Sequence, residues 1–467
     1  MSGSNFLSLD PTEAASRGRT TWLAARLRSA IVEGELQVGS RLPATRALAD
    51  ELAVARGTVV EAYRRLTEEG LLVSNRGGGT TVARVPAVPA GVTATGAADA
   101  ATPRMLDISA GVPDVSAFPR AAWLRVERRV LAHATEHDLG YSDPQGVLPF
   151  RRALAGWLAR SRGIAVPPER IIITAGVTGA LSTVSNVLRA RGITECAVED
   201  PGADGNRRIL EFWLDRLHPI PVDADGLDVS ALAATGVRVV LVTPAHHFPS
   251  GVVLSPTRRR ELIAWAERTG GLVIEDDYDS EYRYDRAPVR AMHATAPEQI
   301  LHISSLSKVL APALRIGWMI APEALHEQLV RTRWATDLGS PVLPQLVLAE
   351  LIESGALERH LRVLRTRHRQ RRDAAVEAVR RYLPGCEVGG IAAGLHLVVT
   401  LPAHIDETRL VARAREAGIA VQGMSSHRLT PGASGLVIGY GPHPTQRLAD
   451  AIRVLGALAG FSSGGSA

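Results

Sequence analysis

Among the 53 lysine and arginine residues of this 467-residue chain, lysine occurs once, at Lys308. The two residue types differ chemically where it matters. Arginine stays protonated under ordinary conditions, whereas a desolvated lysine loses its proton and attacks a carbonyl. A chain that uses arginine wherever positive charge suffices has kept a single amine, and a Schiff base is the reaction that amine is suited to. Its surroundings are Ser304-Ser305-Leu306-Ser307-Lys308, then Leu314-Arg315-Ile316-Gly317-Trp318. Hydroxyls precede the amine, and a guanidinium follows it by seven residues.

Three further segments carry polar groups at places where chemistry is done. Val273-Ile274-Glu275-Asp276-Asp277-Tyr278 is an apolar run ending in carboxylates, and ligand groups in open α/β sheets lie at such strand ends. Ile173-Thr174-Ala175-Gly176-Val177-Thr178-Gly179 reads as a strand that turns tightly into a helix. The free backbone N–H groups and positive helix end at Val177 and Thr178 suit a phosphate, although such a turn alone is commonly just a connection. The fourth segment, Tyr141-Ser142-Asp143-Pro144-Gln145-Gly146, places a tyrosine before a turn.

Jointly, the four segments resemble the fold-type I (aspartate aminotransferase-like) enzymes over nearly all of residues 105–460. The resemblance implies pyridoxal 5'-phosphate as cofactor. It implies that Lys308 carries the cofactor as a Schiff base, and that Ser305 and Arg315 bind its phosphate beside Val177 and Thr178. Asp276 would pair with the pyridine nitrogen and keep it protonated, so that the ring withdraws electrons, while Tyr278 would donate to the ring hydroxyl oxygen. Tyr141 would reach the phosphate of a neighbouring subunit, which makes the expected assembly a homodimer.

The elements that must hold these groups are legible as patterns. Ile171-Ile172-Ile173, Val239-Val240-Leu241-Val242 and Leu272-Val273-Ile274 are apolar runs between helical segments such as 258–268, the signature of a mainly parallel sheet covered by helices. A long arginine-rich amphipathic helix is expected over 356–382, then a mixed α+β segment to Leu458. This gives a large subdomain over about 140–340 and a small one over about 341–460. Residues 85–104 are Pro, Ala, Gly, Val and Thr with scarcely any charge or large side chain, and they read as a linker.

Ahead of the linker, residues 12–84 form a separate unit. Trp22, Leu23, Leu27, Ala30 and Ile31 have helical spacing. After the turn at 39–43, Thr45 is placed to cap a second helix over 46–53, and a third follows from about Gly57 to Glu69. Leu71-Leu72-Val73 and Thr80-Thr81-Val82 then flank a glycine-rich hairpin. The order and the residues Gly39 to Ala49 and Arg56 to Leu66 resemble the GntR group of winged helix-turn-helix repressors. A double-stranded DNA operator is then the expected partner. The third helix would enter the major groove by its first turn, with Arg56 and Thr58 near the bases, while Arg41, Thr45, Arg46 and the wing-tip Arg76 would contact the adjoining backbone or minor groove.

The fusion, together with Thr243-Pro244-Ala245-His246-His247-Phe248-Pro249-Ser250-Gly251 and the run Glu275 to Tyr282, resembles the MocR/GabR subfamily of GntR regulators. Arg207 matches the subfamily's position for binding an effector carboxylate, and His246 is placed to approach the ligand. Two departures stand out. Phe248 occupies the place where aminotransferases commonly have an asparagine touching the cofactor hydroxyl. Before the strand Gly435-Leu436-Val437-Ile438-Gly439, where a carboxylate-clamping arginine is expected, the sequence is Pro431-Gly432-Ala433-Ser434.

Composition narrows the classes further. Two cysteines, Cys196 and Cys386, lie far apart without metal-ligand spacing, and no stretch is long and apolar enough to span a bilayer. The expected protein is a cytoplasmic regulator, dimerising head-to-tail, that answers a small amine or amino acid or pyridoxal phosphate itself. The alternative is a working aminotransferase with an accessory DNA-binding domain. The missing clamp counts against that alternative, because a dicarboxylate pair would be poorly accommodated.

Overall fold

Near the N-terminus, helical spacing of apolar residues produces three helices: α1 (Arg19–Val32), α2 (Thr45–Glu51) and α3 (Arg56–Glu68). Strands β1 (Leu72–Asn75) and β2 (Gly79–Val82) follow and pair antiparallel, Leu72 opposite Val82. This is the computed structural model of the chain; it describes residues 7, 9, 18–75, 79–83, 105–284 and 289–461. The chain divides into two compact units, residues 1–101 and 102–467. In the first, Leu23, Leu27 and Ile31 of α1 pack with Leu48 of α2, Val59 and Leu66 of α3, and Val82 of the wing. Each such side chain contributes about 1.5–3 kcal/mol on full burial. The Tyr63 hydroxyl donates to the Pro43 carbonyl at 3.0 Å, which ties α3 to the turn before α2. One local expectation is corrected. Thr45 begins α2 as its first helical residue, the cap is Ala44, and no side chain accepts a hydrogen bond there. The expected linker and Arg76 lie outside the described residues.

The second unit is built on an eight-stranded sheet. Its order is Ile171–Thr174, Gly317–Ile320, Ile300–Ser305, Leu272–Asp276, Val239–Val242, Glu195–Asp200, Arg216–Asp223 and Gly226–Leu227. The run from Ile300–Ser305 to Arg216–Asp223 is parallel. Gly317–Ile320 is antiparallel to both of its neighbours. Ile171–Thr174 and Val239–Val242 are buried throughout, as strands covered on both faces must be. Local signals set the covering helices. Helix Pro256–Thr269 starts with Ser255 accepting from the Arg258 N–H, has proline in its first turn, and ends at Gly270 with φ +61°.

Helix Ala356–Tyr382 buries Leu357, Leu361, Leu364, Ala375 and Val379 along one stripe. Its later turns pack on the helix Thr445–Leu458. There the smaller antiparallel sheet, ordered Glu387–Gly389, His396–Thr400, Gly435–Gly439 and Gln422–Gly423, forms a second core. This is the fold-type I aminotransferase architecture.

Candidate functional site

Parallel strands deliver their C-terminal ends to one edge, and the loops leaving that edge enclose a cavity of about 400 Å³. Asp276 is the last residue of its strand, and Thr243 follows the strand Val239–Val242. Asn206 lies in the first turn of the helix Asp204–Trp213, and Val177 and Thr178 lie in the first turn of the helix Gly176–Ala190. Ser305 closes its strand, and Lys308 lies three residues beyond it. Seven residues expected from the sequence line this one cavity: Val177, Thr178, Asp276, Tyr278, Ser305, Lys308 and Arg315.

The amine of Lys308 donates to the carbonyl of Gly111. Burial lowers its pKa, and the carboxylates of Asp276 and Asp279 oppose that shift. Desolvation thus raises the share of neutral, nucleophilic amine. Gly111 has φ +85°, and a Cβ there would sit 3.5 Å from Lys308 Nζ, so a glycine lets the backbone come close to the amine.

Asp276 is buried. Its Oδ2 accepts a hydrogen bond of 2.7 Å from Asn206 Nδ2, whereas its Oδ1 has no partner. Burial, with Asp277 and Asp279 nearby, pushes the carboxyl up to about 7, although Asn206 pulls it down. A buried carboxylate oxygen without a donor is costly, and a protonated ring nitrogen would supply the donor.

Arg315 adopts φ +51°, a conformation that side chains other than glycine rarely take and that costs on the order of 1–3 kcal/mol. Its guanidinium donates to the Ala175 carbonyl at 2.6 Å and lies against Gly176, whose φ is +74°. Cation and helix N-terminus therefore meet at one place, as a phosphate requires. These groups fit pyridoxal phosphate: an amine for the aldehyde, an unpaired acceptor for the ring nitrogen, and an arginine beside a helix start for the phosphate.

The remaining expected residues fall elsewhere. His246 is outside the cavity lining but supports it, with Nδ1 2.9 Å from Asp279 Oδ2 and 3.1 Å from the Tyr278 hydroxyl. Burial holds the Tyr278 phenol well above its usual pKa. Arg207 is buried and occupied; it pairs with Asp204 at 2.9 Å and donates to the carbonyls of Ser426 and His427. It lines a neighbouring void of about 20 Å³, room for about one water, and is not among the residues lining the Lys308 cavity. Tyr141 is 89% exposed and does not line the cavity of its own chain. Phe248 does line it, edge-on to Tyr278 with ring centres 6.0 Å apart.

Sequence reasoning missed Asn206, Gly111, Gln422 and His427, which come from four separate loops or short elements. Only Asn206 carried a signal, as a polar residue one position before Arg207 in an already noticed segment.

In the first unit, Arg41, Arg46 and Arg56 are exposed, and Thr45 and Thr58 are half-buried. Arg56 opens α3 without a side-chain cap; the Thr58 N–H donates to the Ala55 carbonyl at 2.8 Å, and no side chain competes with phosphate oxygens for the N–H groups before it. The Arg41 side chain lies on the wing at Gly79.

Comparison with known proteins agrees with both halves. Residues 20–82 match the bacterial regulatory proteins of the gntR family, and residues 103–452 match aminotransferase class I and II. The HTH-type pyridoxine biosynthesis transcriptional regulator PdxR of Corynebacterium glutamicum is 34% identical over 449 residues, covering 95% of this chain and 96% of the relative. The probable rhizopine catabolism regulatory protein MocR of Rhizobium meliloti is 30% identical, over 90% of this chain and 89% of the relative. Among solved structures, kynurenine aminotransferase of Pyrococcus horikoshii superposes with a TM-score of 0.71 at 25% identity, covering 77% of this chain and 92% of that one. The chain belongs to the MocR/GabR-type regulators of the GntR family, in which a winged helix-turn-helix DNA-binding domain is joined to a pyridoxal-phosphate-binding domain of the class I and II aminotransferases.

Proposed function

We propose that this protein is a cytoplasmic transcription regulator whose DNA binding is set by what occupies the Lys308 cavity, and that the effector is pyridoxal phosphate itself or an amine lacking a clamped carboxylate. One observation carries the choice of effector. Arg315 is the one arginine among the described residues lining the cavity, and in this reading it would be taken up by the phosphate. Arg207, at the position expected to bind an effector carboxylate, is committed to Asp204 and two carbonyls. The name of the C. glutamicum relative, a regulator of pyridoxine biosynthesis, supports the cofactor as signal.

When bound, the cofactor supplies an aldehyde and an electron-withdrawing ring. The chain's own groups do the rest. Lys308 would hold the cofactor through its amine, and Asp276, fixed by Asn206, would keep a proton on the ring nitrogen. Tyr278, held by His246 and Asp279, donates to the ring hydroxyl. Arg315, Ser305 and the backbone at Val177 and Thr178 take the phosphate.

The active form is a homodimer, head-to-tail, in which each Tyr141 reaches the partner's phosphate. Tyr141 at 89% and Leu139 at 64% exposure are apolar surface suited to such a contact. The two heads then read two half-sites, with Arg56 and Thr58 toward bases and Arg41, Thr45, Arg46 and Arg76 toward the backbone. A ligand shifts this equilibrium only through unequal affinity for its two states.

The test is titration of pyridoxal phosphate against binding to a DNA site obtained by selection from random sequence, with footprinting. The expected result is a saturable change in affinity or footprint that Lys308→Ala abolishes. An unchanged footprint, or steady turnover of amino acid with 2-oxo acid, would overturn the proposal.

A further inference from the structure

A second cavity, of about 280 Å³, lies between the end of helix Leu148–Arg162 and the start of helix Ala356–Tyr382. We propose that it is a separate ligand site, taking a small organic anion through carboxylate or phosphate oxygens. Four guanidinium groups, from Arg160, Arg162, Arg362 and Arg365, meet three carboxyls, Glu281 and Glu358 in the lining and Asp277 paired with Arg162 behind it. The balance favours an anion.

The buried groups point the same way. Arg162 is 2% exposed. Its Nε donates to Asp277 Oδ2 at 2.6 Å and its Nη1 to the Val289 carbonyl, yet its Nη2 has no partner. The hydroxyl of Ser280, 6% exposed, is also unpaired. Leaving a charged donor and a hydroxyl buried without acceptors costs on the order of 1–3 kcal/mol each, and ligand oxygens would satisfy both.

Arg365 is pre-positioned by its Nε bond of 2.7 Å to the Glu281 carbonyl. Arg160 stands 3.7 Å from Glu358 Oε1, and Glu358 Oε2 lacks a partner, which leaves an acceptor for a donor on the ligand. Trp157 and Leu361 give the wall an apolar part, so an organic body rather than a bare ion fits the space. The segment 276–281 serves both cavities, because Asp276 and Tyr278 line the first while Ser280 and Glu281 line the second.

This inference does not depend on the cofactor reading, and its test separates the two. Phenyl phosphate and benzoate are titrated calorimetrically into the full chain at constant ionic strength, in an Arg315→Ala background that disables the first cavity's anion site. One saturable site per chain is expected for at least one probe. Arg365→Gln should weaken it roughly tenfold or more, as loss of a charged hydrogen bond does. Arg362→Glu, at an exposed helix position, should weaken it further without disturbing the unfolding midpoint, and Lys308→Ala should leave it unchanged. Absence of saturation by both probes at roughly 10 mM, or affinity indifferent to both arginine variants, would overturn the proposal.

Discussion

Replacing Asp276 by asparagine in the cofactor-free protein should stabilise it, and by an amount that depends on pH. The carboxyl is buried and lifted to about 7, whereas in an unfolded chain an aspartate titrates near 3.9. The native state therefore binds more protons than the unfolded state between these values, so stability falls as pH rises through that window. The penalty is absent below pH 3.9, partial at pH 5, and fully developed above pH 7. One pKa unit is worth about 1.4 kcal/mol, so the native protein loses on the order of 2–3 kcal/mol between pH 5 and pH 8 on account of this one group. Asparagine removes the titration. It keeps an oxygen to accept from Asn206, and any cost of leaving its amide unpaired is the same at both pH values and cancels.

The assay is urea denaturation of apo wild type and Asp276→Asn at pH 5 and pH 8, following tryptophan fluorescence of the larger unit. The advantage of the variant should grow by roughly 2–3 kcal/mol from the lower to the higher pH, while its hold on pyridoxal phosphate weakens. A difference in stability that does not change with pH would refute the assignment of this carboxyl as the strained group. Stability has then been given up at a position whose unpaired oxygen serves the cofactor.

Two other outcomes follow from the geometry. Arg56→Ala should weaken specific DNA binding by about 1–3 kcal/mol, whereas Arg64, already paired with Glu61 and Glu68, should be replaceable by alanine at little cost; fluorescence anisotropy on the selected site distinguishes them. Gly317→Ala would put a Cβ 2.7 Å from the Ser304 carbonyl oxygen and 2.8 Å from Gly176 Cα, and should destabilise the large sheet by about 3 kcal/mol or more. Gly192→Ala, at φ +76° in open space, should cost only about 1 kcal/mol, as measured by thermal unfolding.

Where short-range chemistry decides, the sequence was informative. Helix Ala356–Tyr382 has the limits expected from its amphipathic stripe, and the three helices and hairpin of the N-terminal unit follow from spacing and turn residues. Thr45 shows the limit of that reasoning. A threonine before a helical run satisfies the usual preference for a cap, yet the helix takes it in and starts one residue earlier. The antiparallel insertion of Gly317–Ile320 was hidden because direction within a sheet is a property of neighbours, not of the strand's own residues.

The site divides in the same way. Lys308, Ser305 and Arg315 are bound to one loop and strand, so their spacing carried meaning. Gly111 reaches Lys308 from 197 residues away, and Asn206 reaches Asp276 from 70. Only folding makes them neighbours. Arg207 was singled out by position, and its pairing with Asp204 is local, but its bonds to the carbonyls of Ser426 and His427 depend on a loop more than 200 residues later, which no local pattern displays.

The most direct measurement is the absorption spectrum of the full chain on adding pyridoxal phosphate, followed by borohydride reduction and peptide mass analysis. A visible band should form stoichiometrically, and the reduced cofactor mass should be found on the peptide containing Lys308, with neither seen in Lys308→Ala. A protein that stays colourless, or a reduced adduct located anywhere else, such as the N-terminal amine, would contradict the assignment of the lone ε-amine to the cofactor.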